Sequence, residues 1–389
     1  MNGRERLLKT FAGEKVDRVP VCPFVHFNSI YRHFSIPPSK QNWRTNLGWE
    51  GEKTIEYSEY FDFDHLHRLA APYTHIYNEA SSDDGKWDVE VDFKNDGKKD
   101  IELTTIKTPD RKLRQVKEYR QVSTYTYVEA ITEYYIKEPE DLEQFIKYQP
   151  SYEAGTYSMI KEEFDNFQIV KKILGNRGVI SGFAGGAFNM LNGYRNLELM
   201  MMDPVTDPGF YKEMIDYFTD RVFQLVDKLA DHEVDIVETG GNLATGGVGE
   251  KFFTENVLTY EKAIAEKIHS RGMYDIYHNC GDADKIMHLY NQMGINAWGY
   301  LTPPPFGDVD LDKALDIMRN DMVLIGNIDQ VEFLKNSSPE QIEERVKEVL
   351  EKAKKRGRFI LSTSDWWTDD MPYENLKAFS KAGHKYGKY

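Results

Sequence analysis

Cysteine is scarce in this chain: two residues in 389. That excludes a disulfide framework and fits a reducing cytoplasm, where the protein is expected to work. Long apolar runs are missing too. None approaches the ~20 residues of a membrane span, and no signal peptide opens the chain, so no membrane role is expected. Positive charge is short: 49 Lys and Arg stand against 64 Asp and Glu, a formal net charge of −15. Such a balance disfavours nucleic acid as a partner, and no basic face is hidden in the pattern. The short runs KKILGNR and EKAKKRGR read as solvated helix surface. Low-complexity linkers, coiled-coil heptads and short-period repeats are absent as well. What is there is ordinary for a globular protein, 40% hydrophobic and 29% charged residues. Aromatics make up 13%, with 24 tyrosines, which offers flat surface for a ring-shaped ligand and is equally standard core material.

Residues 3–12 read as an amphipathic helix and residues 18–25, RVPVCPFV, as a first buried strand. Cys22 sits there between Pro20 and Pro23 and reads as packing, since free cysteine behaves as a small hydrophobe. Residues 26–39 look irregular and aromatic-rich, and residues 43–61 helical. The segment 61–69, FDFDHLHRL, alternates like a strand. Asp62, Asp64, His65 and His67 in it suggest a metal cluster, but they fall on both faces of such a strand. Residues 86–136 alternate polar with β-branched or aromatic residues, broken by turn signals at Asn95-Asp96-Gly97 and Thr108-Pro109-Asp110. They read as an antiparallel meander inserted into an otherwise α/β chain. A helix follows at 137–145, with Pro139 in its first turn.

From about residue 150 strands and helices alternate, as βαβ units require. Strands are expected at 178–183, 234–242, 274–277, 295–301, 321–329 and 358–365. A Ser338-x-x-Gln341 capping box starts the helix before the last of them. Five of these strands end in chemistry-bearing residues: Glu238 with Asn242, His278 with Cys280, Tyr300, Asn327 with Asp329, and Asp365. His278 and Cys280 lie two apart at a strand end, so an imidazole and a thiol face one way, a pairing that suits zinc. The alternative is a buried cysteine beside a satisfied core histidine. In a parallel barrel all C-terminal strand ends meet at one mouth, where scattered residues converge.

The chain resembles the uroporphyrinogen decarboxylase superfamily, and within it the branch of corrinoid-linked, zinc-dependent methyltransferases. The resemblance is carried by GEKVDRVPV near the start, MMDP (201–204), HNCGD (278–282), LIGNID (324–329), FILSTSD (359–365) and MPYENLKAFSKAGHKYG (371–387). It implies a (β/α)8 TIM barrel spanning 1–389 as a single domain, with an N-terminal extension and an antiparallel β insertion at about 86–136. The decarboxylase itself fits poorly: it grips a polycarboxylated tetrapyrrole with arginines soon after the first strand, where this chain has Arg32 alone. The TPDRKLRQV…YYIKEPEDL stretch resembles the inserted hairpins of the branch that demethylates methoxylated compounds.

By this resemblance the activity is transfer of a methyl group from a methoxylated, aromatic substrate to the cobalt of a corrinoid on a separate protein. An Asp-x-His-x-x-Gly cobalamin motif is absent from this chain. The branch holds zinc with His-x-Cys and a distant cysteine. His278 and Cys280 match, but Asp365 stands where that cysteine should fall, so Asp365 or Glu238 becomes the third ligand. Glu255 is a further acidic candidate but opens a helix. Asn242, Asn327 and Trp366 are implied to orient substrate, Asp329 and Tyr300 to assist catalysis, and Trp367 to wall the mouth or pack over it. Methyl transfer with another partner (methanol, methylamine, thiol or coenzyme) and a non-catalytic barrel are the competing readings. A homodimer is compatible with all of them.

Overall fold

The computed structural model describes residues 1–36, 47–69, 81–152 and 168–389. Its strands are β1 (His65–Leu69), β2 (Asp88–Asn95), β3 (Asp100–Lys107), β4 (Lys112–Gln121), β5 (Tyr127–Glu133), β6 (Gly178–Phe183), β7 (Ile236–Gly240), β8 (Tyr274–His278), β9 (Ala297–Leu301), β10 (Val323–Ile328) and β11 (Phe359–Thr363). β1 and β6 to β11 form one parallel sheet in the order β1-β6-β7-β8-β9-β10-β11. Helices follow the strands, so both faces of the sheet are covered, and β9, β10 and β11 are buried at every residue. The inner face supplies Leu66, Val179, Ile236, Ile276, Ala297, Val323, Ile325 and Ile360 to one core cluster. The Gly3–Ala12 helix plugs the lower end of this core through Leu7 and Phe11, the latter packing on Tyr274 at the start of β8. Chemistry is left to the opposite end.

The sheet is closed by residues 20–22. Leu361 donates its N–H to the Pro20 carbonyl, and Cys22 donates to the Leu361 carbonyl, at 2.9 and 2.8 Å. On the other side Asp64 donates its N–H to Val21, while the Val21 N–H donates to the Asp64 carboxylate, both at 2.8 Å. The expected strand over 18–25 is thus a three-residue eighth stave. Pro20 and Pro23 bring no N–H and stop the ladder on either side. The architecture is a (β/α)8 barrel with an N-terminal extension. Cys22 is 3% exposed inside it, and burial pushes its thiol up to about 12: it is packing.

The 61–69 segment is corrected in the same place. Asp62 and Asp64 precede β1, and Asp64 is ion-paired with Arg6 and Arg18. His65 and His67 bond to each other, and among the described residues these four do not form a metal-sized group. Residues 27–34, expected to be irregular, form the Phe27–Phe34 helix, burying Ile30 and Tyr31 on one face. The helix expected over 43–61 is Leu47–Tyr60, its first four residues lying outside the described ones; residues 37–39 of the expected irregular stretch lie outside them too.

The insertion is as expected. β2 to β5 form a four-stranded antiparallel sheet in chain order, turning at Gly97, whose φ of 88° suits a residue without a side chain. The β4–β5 loop docks on the barrel mouth: Tyr125 donates its N–H to the Asp369 carboxylate at 2.9 Å, and Asn28 joins Thr126 to the Trp367 carbonyl.

One buried acid yields a prediction. Glu261, on the Leu258–Ser270 helix, is 3% exposed. Burial pushes its carboxyl up to about 8, against the pull of the Phe188 and Ala187 backbone N–H groups. The folded state therefore holds a proton that the unfolded chain has released above its ordinary pKa. Stability from this group is full at low pH and is lost as pH rises toward about 8, by at most about 1.4 kcal/mol per pH unit. Denaturant titrations between pH 5 and 9 are expected to show that fall in the wild type and a flatter curve for Glu261→Gln.

Candidate metal centre

β8 ends at His278, and the next residue is held facing away from the mouth. The Asn279 amide donates to the Ala244 carbonyl at 2.8 Å and to the Tyr290 hydroxyl. Its backbone carbonyl accepts from the Trp298 indole at 3.1 Å. With Asn279 pinned outward, His278 and Cys280 on either side present their side chains together. From β7, Gly240 turns the chain at φ 76°; a Cβ there would stand 2.7 Å from the His278 carbonyl oxygen. The adjoining Gly241 N–H donates to that carbonyl at 2.7 Å, which brings Asn242 beside Cys280.

The ligand atoms of His278, Cys280 and Asp365 all lie within 4.8 Å of one another, the one such group among the described residues. The Cys280 thiol donates to Asp365 Oδ2 at 3.1 Å and to Asn242 Oδ1 at 3.0 Å. Asp365 Oδ1 accepts the Trp366 N–H at 2.8 Å. Burial, and then the Asp365 charge, raise the thiol well above its usual range. A thiolate facing a carboxylate is disfavoured unless a cation lies between them. One imidazole nitrogen, one sulfur and one carboxylate oxygen, packed this closely, form a donor set that zinc accepts. The chemistry of the set fits the metal.

Of the expected ligands, Glu238 stands apart. It is 4% exposed, paired at 2.9 Å with Arg68 Nε, and accepts the Ser181 hydroxyl at 2.9 Å. Tyr300 is fully buried, its hydroxyl accepting from Arg68 and its ring edge-on to His278 at 5.1 Å. Asp329 accepts the N–H groups of Val331, Glu332 and Phe333; its carboxylate holds a turn. Asn327 and Asp329 line a separate recess with Pro303 to Pro305. Glu255 is exposed on the Glu250–Asn256 helix beside Lys251.

The cluster opens into a cavity of about 240 Å³. Phe24, Phe27, Phe183 and Trp366 wall it, Glu238, Asn242, His278 and Asp365 also line it, and His67 and Arg68 reach it from β1. Trp366 stacks on His26 at 4.7 Å, whereas Trp367 is 3% exposed in the core, so the two tryptophans divide between wall and packing. Arg68 is the cavity-lining residue that the pattern reading missed. It follows His67 directly, lies 4.2 Å over the Phe24 ring and joins Glu238 to Tyr300. Arg68 is the one Lys or Arg in the FDFDHLHRL segment, and that isolated positive charge was the available signal.

A family model described as uroporphyrinogen decarboxylase (URO-D) matches residues 123–386. The chain is similar to the methylated-thiol–coenzyme M methyltransferase of Methanosarcina mazei, 24% identical over 229 residues, 59% of this chain and 56% of the relative. It is also similar to the methylcobamide:CoM methyltransferase MtbA of Methanosarcina acetivorans, 24% identical over 57% of this chain and 62% of the relative. The match thus spans little more than half of each relative's length. A solved structure described as a methyltransferase from Methanosarcina mazei superposes with a TM-score of 0.73 at 16% identity, covering 99% of both chains. At that identity the likeness speaks for the fold.

Proposed function

The chain belongs to the uroporphyrinogen decarboxylase family, and from that premise we propose that it is a methyltransferase that moves a methyl group from a methoxylated aromatic compound to the cobalt of a corrinoid carried by a separate protein. The observation that carries the reading is the His278–Cys280–Asp365 cluster opening on an aromatic-walled cavity. The names of the matched relatives support methyl transfer. The cavity supports the donor class: an apolar space of about 150 Å³ takes up benzene, so about 240 Å³ accommodates one substituted ring. Arg68 is the one arginine among its described lining residues and is already paired with Glu238, which leaves a polycarboxylate without partners.

His278, Cys280 and Asp365 would hold zinc, which when bound supplies a Lewis acid for the ether oxygen and stabilises the charge that develops there. The chain's own residues do the rest. Phe24, Phe27, Phe183 and Trp366 clasp the ring and exclude water. Asn242 holds the Cys280 sulfur from the side, and the Tyr300 ring buttresses the His278 imidazole. Glu238 neutralises Arg68 beneath the ring.

Methylcobalamin formation from free cob(I)alamin, followed by absorbance, tests the reading. Methoxyphenols and methoxybenzoates are expected to serve as donors. Turnover with methylated thiols alone would replace this donor class by the one that the first relative's name describes. Arg68→Met should leave Glu238 buried without its counter-ion. It is expected to lower the rate with the best donor by about tenfold or more, with Arg68→Lys restoring part of it; an unchanged rate would remove the pair from the site.

A further inference from the structure

His65 and His67 lie on the face of β1 turned toward the Leu47–Tyr60 helix. Ser58 Oγ of that helix is 2.6 Å from His65 Nδ1, and His65 Nε2 is 2.8 Å from His67 Nδ1. His65 is 5% exposed, His67 2% and Ser58 2%. His67 lines the cavity wall with Gly51 and Thr54, while its Nδ1 is spent on His65. Among the described residues its second ring nitrogen has no hydrogen-bond partner, and it can serve an occupant of the cavity that His67 lines. β1 and β8 are separated by β6 and β7 in the sheet, about 14 Å around the barrel at ~4.8 Å per strand step. His67 and His278 thus reach the same cavity from different strands of the barrel.

We propose that His67 is a specificity-determining residue that hydrogen-bonds an uncharged hydroxyl on the methyl donor. The proposal rests on the reading of this cavity as the donor site. The Ser58–His65–His67 row explains why a hydroxyl is the matching group. A serine hydroxyl both donates and accepts, and each neutral imidazole carries one donor and one acceptor. If Ser58 donates to His65, then His65 donates to His67, whose free nitrogen carries the proton and donates into the cavity. If the row runs the other way, the free nitrogen accepts. A phenolic hydroxyl satisfies either state. A carboxylate has no such match: burial keeps both imidazoles uncharged, holding His67 down to about 3, and the neighbouring Arg68 is committed to Glu238.

Calorimetric binding to the metal-loaded protein tests this, with methoxybenzene and the three methoxyphenol isomers as probes. The wild type is expected to bind at least one methoxyphenol about tenfold more tightly than methoxybenzene. His67→Phe should lose that preference while keeping its affinity for methoxybenzene and its metal content, and His67→Gln should retain part of the preference. Equal affinity of the wild type for all four probes, or an unchanged preference in His67→Phe, would overturn the assignment and leave the cavity reading standing. Failure of the wild type to bind any aromatic ether would overturn both. The wild-type comparison needs no variant, so it decides even where a substitution at 67 fails to fold.

Discussion

Cys280→Ala is expected to lower methyl transfer at least about a thousandfold, the equivalent of about 4 kcal/mol of transition-state stabilisation, with little effect on folding. Cys280 is only half-buried and its thiol bonds to two other site residues, Asn242 and Asp365. Truncating it leaves no core cavity and unpairs no backbone group. A cysteine in such a place, with its thiol held up by burial and by a facing carboxylate, has little value as packing and much as a soft metal donor. Cys280→Ser should behave like the alanine variant, because a hydroxyl is neither deprotonated nor soft enough to replace the sulfur. Rates of methylcobalamin formation, set beside circular dichroism and melting curves, check both halves. A Cys280→Ala enzyme within tenfold of wild type would remove the residue from the machinery.

Asp64→Ala is expected to cost about 3–5 kcal/mol of stability, the usual penalty for breaking a buried ion pair from one side. Asp64 is 4% exposed and joins three parts of the chain: Arg6 of the first helix, Arg18 of the following turn, and the N–H of Val21 in the eighth stave. Removing its carboxylate strands positive charge beside the core and deprives the closing stave of an acceptor. Asp62→Asn supplies the control, since that side chain is 84% exposed, asparagine tolerates the positive φ of 56° at this position, and a surface change of this kind is expected within about 0.5 kcal/mol. Urea titration of both variants measures the difference. Equal midpoints would mean that the barrel closes without this pair.

The parts of the fold legible from pattern were those with a period. The apolar runs of β6 to β11, separated by helices, announced βαβ units, the family resemblance supplied the barrel, and alternation broken by turn residues marked the antiparallel insertion. The eighth stave was overestimated because RVPVCPFV has strand composition, whereas its prolines leave only three residues able to join the ladder. The Phe27–Phe34 helix was missed although its apolar residues follow a helical period, because it is only eight residues long and starts without a side-chain cap. At the site, His278, Cys280 and Asp365 were visible as strand-end residues, and the structure brings them together. Glu238 looked equally eligible. Its partner Arg68 lies 170 positions away, and no local pattern reports such a pairing. Asp329 occupies the same kind of strand end, yet three N–H groups of the next turn claim its carboxylate. Strand ends indicate which residues reach the mouth; where each side chain turns depends on neighbours remote in sequence.

Metal content of the purified protein bears most directly on the central claim. Elemental analysis of the wild type should find about one zinc per chain, lost in His278→Ala, Cys280→Ala and Asp365→Ala and retained in Glu238→Ala, whose carboxylate belongs to Arg68. A wild type free of zinc after growth with added metal would contradict the account. Zinc lost in Glu238→Ala and kept in Asp365→Ala would contradict the assignment of the third ligand.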